Sequence, residues 1–204
     1  TATTEIYTLS LHDALRSAAS ISLEIAPFTL IGATTRSGML PTPLRDRFGF
    51  TAFLEYYEPA DLASVLRASA IKLKIRLDDE ALELLSHRSR GTPRIANRLL
   101  RRVRDFASVN DHEDIDRDIA LRAMELFEVD QLGLDRVDRT LLTMLSTKFS
   151  AKPVGLSTLA VALGEEPDTI EAVIEPYLIR SGLIQRTPRG REITAGGLAH
   201  LGIQ

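Results

Sequence analysis

The chain has 204 residues, 44% of them hydrophobic and 26% charged, which is the balance of a soluble globular protein with room for two or three small domains. It has no cysteine, which excludes disulfides and thiolate metal sites and fits a reducing, cytoplasmic compartment. The four histidines are too scattered to pair as zinc ligands, no apolar run approaches the roughly 18 residues of a membrane span, and a net charge of −3 does not announce nucleic-acid binding.

In chain order, residues 28–34 (FTLIGAT) form an apolar, β-favouring run that predicts a buried strand leading into a polar loop. Such a strand end is a common place for the side chains of an α/β site. A second strand is predicted over 50–56, stopped by Pro59. From residue 60 the period becomes helical, with Leu62, Val65, Leu66, Ser69 and Leu73 on one face. Asp78 or Asp79 is placed to cap a helix over 80–87. Thr92 and Pro93 open another over 93–109. On that helix Ile95, Ala96, Leu99, Leu100, Val103 and Phe106 share one arc, while Arg94, Arg98 and Arg101 share the opposite one. A further helix is predicted over 115–127, so residues 60–127 read as a compact all-helical domain.

Residues 128–134 read as a linker. Helices are predicted over 136–149, 156–163 and about 168–181, the last loosened by Pro176, which has no N–H to donate. Two short extended arms around Thr187-Pro188-Arg189-Gly190 then predict a β-hairpin. Three helices followed by a hairpin is the order of a winged helix.

Three stretches, FTLIGATTRSGMLPTPLRDRFGF, RGTPRIANRLLRRVRDFA and EPYLIRSGLIQRTPRGR, closely resemble signature stretches of the RuvB family of AAA+ branch-migration motors, in the family's order. The resemblance runs from about Ser20 to the end. It implies an α/β remnant of an AAA+ P-loop ATPase core (20–58), an all-α lid (59–129) and a winged-helix DNA-binding domain (130–204). It also implies an ATP-dependent DNA translocase acting on Holliday junctions in recombination and repair. ATP and Mg²⁺ would be its cofactors, and a homohexamer, junction DNA, RuvA and RuvC its partners. Residues 1–19 do not resemble the family, and Thr4–Arg16 has the look of a foreign junction.

Residue by residue, the resemblance gives Thr35, next to Thr34, the sensor 1 role near the γ-phosphate. The pattern alone reads equally as a capped loop. Arg45 and Arg47 of LRDRF match the arginine-finger region, where one would stabilise transition-state charge in a neighbouring subunit's site. A surface ion-pair triplet is the plainer reading of that string. Arg94 matches sensor 2, whose guanidinium fork suits phosphate oxygens, although the wheel alone describes a solvated basic face. Tyr57 matches a position lining the nucleotide pocket, or else is an ordinary hinge aromatic. In the wing, Arg186, Arg189 and Arg191 are the candidate DNA contacts, against the plainer reading of a solubilising turn. The acidic residues Glu165, Glu166, Asp168, Glu171 and Glu175 argue against base reading by the preceding helix. Pro167 stands where some relatives carry an arginine implicated in DNA contact.

These 204 residues contain no G-x-x-x-x-G-K-[ST] and no acidic Walker B strand, so the main ligands of nucleotide and Mg²⁺ are not among them, nor is the RuvA-docking hairpin. The chain alone is therefore expected to be inactive as an ATPase. Two other readings stay open at this point: a winged-helix DNA-binding regulator, and a non-hydrolysing AAA+ subunit that donates an arginine finger.

Overall fold

The computed structural model describes residues 27–35 and 37–203. They divide into two units, Thr1–Phe53 and Leu54–Gln204. Residues 1–19, read above as unlike the family, and Arg36 of GATTR lie outside the described residues.

In the first unit, residues 28–34 form no strand, and Phe28 and Ile31 are 54% and 88% exposed. Residues 50–56 form none either. The apolar run signals a preference for burial, but a strand also needs a ladder partner for its backbone N–H and C=O groups. Among the described residues these segments have none. What does form is local: a 3₁₀ turn (Ser37–Met39) and a single-turn helix α1 (Thr42–Arg45), with Pro43 in its first turn.

The second unit begins with a four-helix lid. Helix α2 (Pro59–Leu73) starts on its proline, carries Asp61 against the dipole, and ends at Lys74 in the left-handed region. Strand β1 (Arg76–Leu77) pairs in parallel with β2 (Asp114–Ile115), a two-residue pairing that the sequence did not announce. Asp78 caps α3 (Asp79–His87) by accepting from the Ala81 N–H at 2.6 Å, and Asp116 caps α5 (Arg117–Leu126) by accepting from Ile119 at 2.8 Å. Each cap contributes about 1 kcal/mol. Helix α4 (Pro93–Val109) buries Ala96, Leu99, Leu100, Val103 and Ala107 against Leu62, Leu66, Leu85 and Met124. Each such leucine contributes about 1.5–3 kcal/mol through burial.

Residues 128–134 are not a loose linker. Val129 and Leu134 are buried, and the Asp130 carboxylate accepts from the Leu132 and Leu134 N–H groups at 2.9 and 2.8 Å. His200 Nε2 lies 2.8 Å from the other Asp130 oxygen. Gly133 has φ 77, and a Cβ there would lie 2.2 Å from the Arg88 carbonyl oxygen, so only glycine fits. Composition marks this stretch as a boundary, but packing makes it a docked turn.

Beyond it, α6 (Arg136–Thr143) runs into a π-helical turn (Met144–Lys148), followed by α7 (Leu156–Leu163). Next come α8 (Pro167–Thr169), a second π turn (Ile170–Ile174) and α9 (Glu175–Arg180). The widened turn lies just before Pro176, where the α-helical ladder loses a donor, as expected from that proline. Strands β3 (Ile184–Thr187) and β4 (Gly190–Ile193) form the hairpin, with Arg186 opposite Arg191. Val154 adds a bridge to Arg191 on the outer side of β4. Gly190 has φ 134, and a Cβ there would meet the Val154 carbonyl oxygen at 2.2 Å. A short helix that the sequence pattern did not predict, α10 (Ala195–His200), is capped by the Thr194 hydroxyl, which accepts from Gly197. Leu141, Leu145, Leu159, Ile170, Leu178 and Ile193 close the winged-helix core.

Candidate functional site

The three sites expected in the first unit occupy exposed positions. Thr35 sits in a bend. Arg45 ends α1 and donates to the Leu40 carbonyl at 3.4 Å, a long hydrogen bond at an exposed position. Arg47 follows two residues later, where near-helical backbone hydrogen bonds continue from Leu44 to Arg47 and from Arg45 to Phe48. Residues two apart in helical backbone lie about 200° apart around the axis, so the two arginines leave the backbone on different sides.

In the second unit, Tyr57 and Arg94 stand at one corner, on either side of the loop that opens α4. The Tyr57 N–H donates to the Gly91 carbonyl at 2.9 Å, which ties the chain entering the lid to the loop that opens α4. Arg94 lies in the first turn of that helix, exposed and with no ion pair among the described residues. The Thr92 hydroxyl does not cap the helix; it donates back to the Arg90 carbonyl. The first-turn N–H groups of a 17-residue helix are thus left without a side-chain acceptor beside an unpaired guanidinium. That suits an anion. Burial first, then Arg102 and Arg90, push the Arg98 guanidinium below the usual arginine range; with Arg94 and Arg101 it makes a basic ridge on α4.

Directly behind this corner is a polar junction that the sequence pattern did not reveal. Arg90 adopts φ 54 and turns inward. Its Nε donates to the Gly133 carbonyl at 2.7 Å, its Nη2 donates to Asp138, and its guanidinium lies 4.8 Å from the Tyr177 ring centre. Arg90 is 10% exposed and Asp138 2%. Arg180 stacks over Tyr56 at 3.4 Å and donates to the Arg90 carbonyl at 2.6 Å. Lid and winged helix are thus joined through groups adjacent to Tyr57.

Burial raises the Asp138 carboxyl from 3.8 to about 6, outweighing Arg90 and the Asp135 N–H, which both favour the anion. The folded state therefore holds this proton more tightly than the unfolded chain does. The stabilisation is fully present below about pH 4 and is lost as pH rises through about 6. In urea titrations, the stability of the wild-type chain relative to Asp138→Asn should fall between these pH values; a flat difference would contradict the assignment.

At the wing, Arg189 is exposed at the turn and has no ion pair among the described residues. Arg186 and Arg191 are engaged. Glu175, 0% exposed, accepts from Arg186 Nε at 2.9 Å and Nη2 at 2.5 Å, and its other oxygen accepts from Arg191 Nε. Glu171 lies 3.2 Å from Arg186 and 3.4 Å from Arg191. Arg186 remains 47% exposed and Arg191 14%. Two of the acidic residues that argue against base reading are the partners of the wing arginines. The spacing held a signal: Glu171 and Glu175 are four apart on one helix face, and Arg186 and Arg191 face each other across a tight hairpin.

Among the described residues no group of three or more His, Asp or Glu is arranged to hold a metal ion, and no helix is long and apolar enough to cross a membrane.

Three family profiles match the chain. They are described as the Holliday junction DNA helicase RuvB P-loop domain (residues 5–54), the RuvB AAA lid domain (57–130) and the RuvB C-terminal winged helix domain (131–202). The first of these spans part of the segment read above as unlike the family. The Holliday junction branch migration complex subunit RuvB of Mycobacterium avium is 61% identical over 186 residues, covering 91% of this chain and 53% of the relative. The protein of the same name from Saccharopolyspora erythraea is 60% identical with the same coverage. The solved Thermotoga maritima RuvB Holliday junction branch migration motor superposes with a TM-score of 0.82 at 45% identity, over 88% of this chain and 60% of that one. The chain spans about half the length of the curated relatives it matches.

Proposed function

This chain belongs to the RuvB family, and we propose that it is the lid and DNA-tracking part of an ATP-driven motor that moves Holliday junctions. The observation that supports this most is the second unit itself. It joins an anion-accepting corner, Tyr57 and Arg94, to a winged helix with an arginine-tipped wing through a buried polar junction. A motor needs that connection between nucleotide and DNA; a regulator does not.

In this reading Arg94 and the first-turn N–H groups of α4 receive nucleotide phosphates, with Tyr57 beside the base or sugar. ATP bound there would supply the phosphoryl-transfer energy and Mg²⁺ would neutralise its charge, although this sequence holds neither the phosphate-binding loop nor the acidic strand that would carry their main ligands. Thr35 orients the attacking water. Arg45 shapes its own loop, and Arg47 is the finger that reaches the nucleotide site of a neighbouring subunit in a homohexamer. Arg186, Arg189 and Arg191 follow duplex arms of the junction, with RuvA and RuvC as the partner proteins, in the cytoplasm.

These residues hold no phosphate-binding loop, so the purified chain should show no ATP hydrolysis above background. Mixed with a full-length relative whose own finger arginine has been replaced, it should restore turnover, because Arg47 can act in trans. Arg47→Ala should remove that rescue while Arg45→Ala retains part of it. Turnover by the chain alone, or rescue indifferent to Arg47, would contradict the reading.

A further inference from the structure

The wing carries a feature that DNA contact alone does not explain. Glu175 is a fully buried carboxylate whose two oxygens are shared between two arginines on opposite strands of the hairpin. Two guanidiniums side by side repel, and a free arginine must give up rotamer freedom to meet a phosphate. A buried anion between them offsets both costs. It takes the Nε of each and the Nη2 of Arg186, with a longer hydrogen bond from the Nη2 of Arg191. A guanidinium has five N–H donors in a rigid fork, so fixing the inner edge leaves the Nη1 edges to an outside acceptor. Glu171 differs. It is 46% exposed and meets both arginines only at 3.2 to 3.4 Å. It is a solvent-side anion where a phosphate would sit.

Resting on the DNA-tracking reading above, we propose that Glu175 is a positioning residue that holds Arg186 and Arg191 as a paired phosphate fork, while Glu171 opposes the same phosphate. The two glutamates therefore act with opposite sign, although each carries the same charge.

The test uses the full chain and fluorescein-labelled duplex DNA in a salt series. Glu171→Gln should tighten binding and steepen the log–log salt slope by up to about one unit, as expected for one more effective cation. Glu175→Gln also removes a negative charge, yet it should weaken binding about tenfold and flatten the slope by about one unit, because one phosphate is no longer neutralised. Glu175→Asp, which keeps the charge, should recover part of the affinity. If Glu175→Gln tightens binding as Glu171→Gln does, or changes nothing, the positioning role is wrong. An independent measurement covers the case in which Glu175→Gln fails to fold: arginine side-chain NMR of the wild-type chain. It should show exchange-protected Nε–H signals assigned to Arg186 and Arg191 that persist when duplex is added; their absence, or their disappearance on DNA binding, overturns the proposal. Arg186→Ala/Arg189→Ala serves as the control for the underlying reading. If it binds duplex as the wild type does, DNA tracking by the wing fails and the proposal fails with it. If it loses binding while Glu175→Gln keeps it, only the positioning role fails.

Discussion

Asp138→Ala should destabilise the Leu54–Gln204 unit by about 3–5 kcal/mol at neutral pH, the cost of breaking a buried ion pair by removing one partner. The carboxylate has two duties. One of its oxygens accepts from Arg90 and from the Asp135 N–H at 3.0 Å, and with Asp135 it completes the capping box of α6. Truncation removes the reciprocal half of that box, though Asp135 still caps the helix, and leaves Arg90, 10% exposed, with its ion pair reduced to Asp135 at 3.8 Å. Arg90→Ala should cost less, because the Asp138 carboxyl, already raised to about 6, can take up a proton and stay buried as a neutral group. The order of the two destabilisations in urea-induced unfolding is the check. Equal and small effects would mean that the junction between lid and winged helix does not depend on this pair.

Much of this architecture is written in the sequence because it rests on local chemistry. Asp78, Pro93 and the apolar arc of α4 place lid helices within a residue or two, since caps and a helical period act over one or two turns. Pro176 foretells a loosened helix, and Thr187-Pro188-Arg189-Gly190 a hairpin. The failures occur where structure depends on distant partners. FTLIGAT has the composition of a strand, but a ladder needs a neighbour, and composition does not supply one. The 128–134 stretch looks like a linker until Asp130 meets His200 and Gly133 packs on Arg88. The same holds for the sites. Arg94 and the wing arginines are legible from local pattern and resemblance, whereas Arg90, Asp138, Arg180 and Glu175 take their meaning from other elements packed against them.

Replacing Arg186, Arg189 and Arg191 together by alanine should flatten the log–log salt dependence of duplex binding by about two to three units, since each phosphate left without its cation takes about 0.9 from the slope. Between 50 and 200 mM salt that corresponds to roughly a tenfold to fiftyfold change in how strongly salt weakens the complex. All duplexes should weaken alike, because hydrogen bonds to phosphate carry no sequence information. Arg189 provides the exposed tip, and Arg186 and Arg191 follow behind it as a pair fixed by Glu175. Arg98→Ala/Arg101→Ala on α4 should leave duplex binding nearly unchanged, because that ridge belongs to the lid and continues from the Tyr57–Arg94 corner.

The division of labour between wing and lid is tested most directly by fluorescence anisotropy of the full chain on two duplexes of unrelated sequence across a salt series, with the wing and lid substitutions measured side by side. The expected result is equal affinity for both duplexes, a slope that collapses without the wing arginines and one that survives replacement of Arg98 and Arg101. A strong preference for one duplex, or binding abolished by the lid substitutions and untouched by those in the wing, would contradict it.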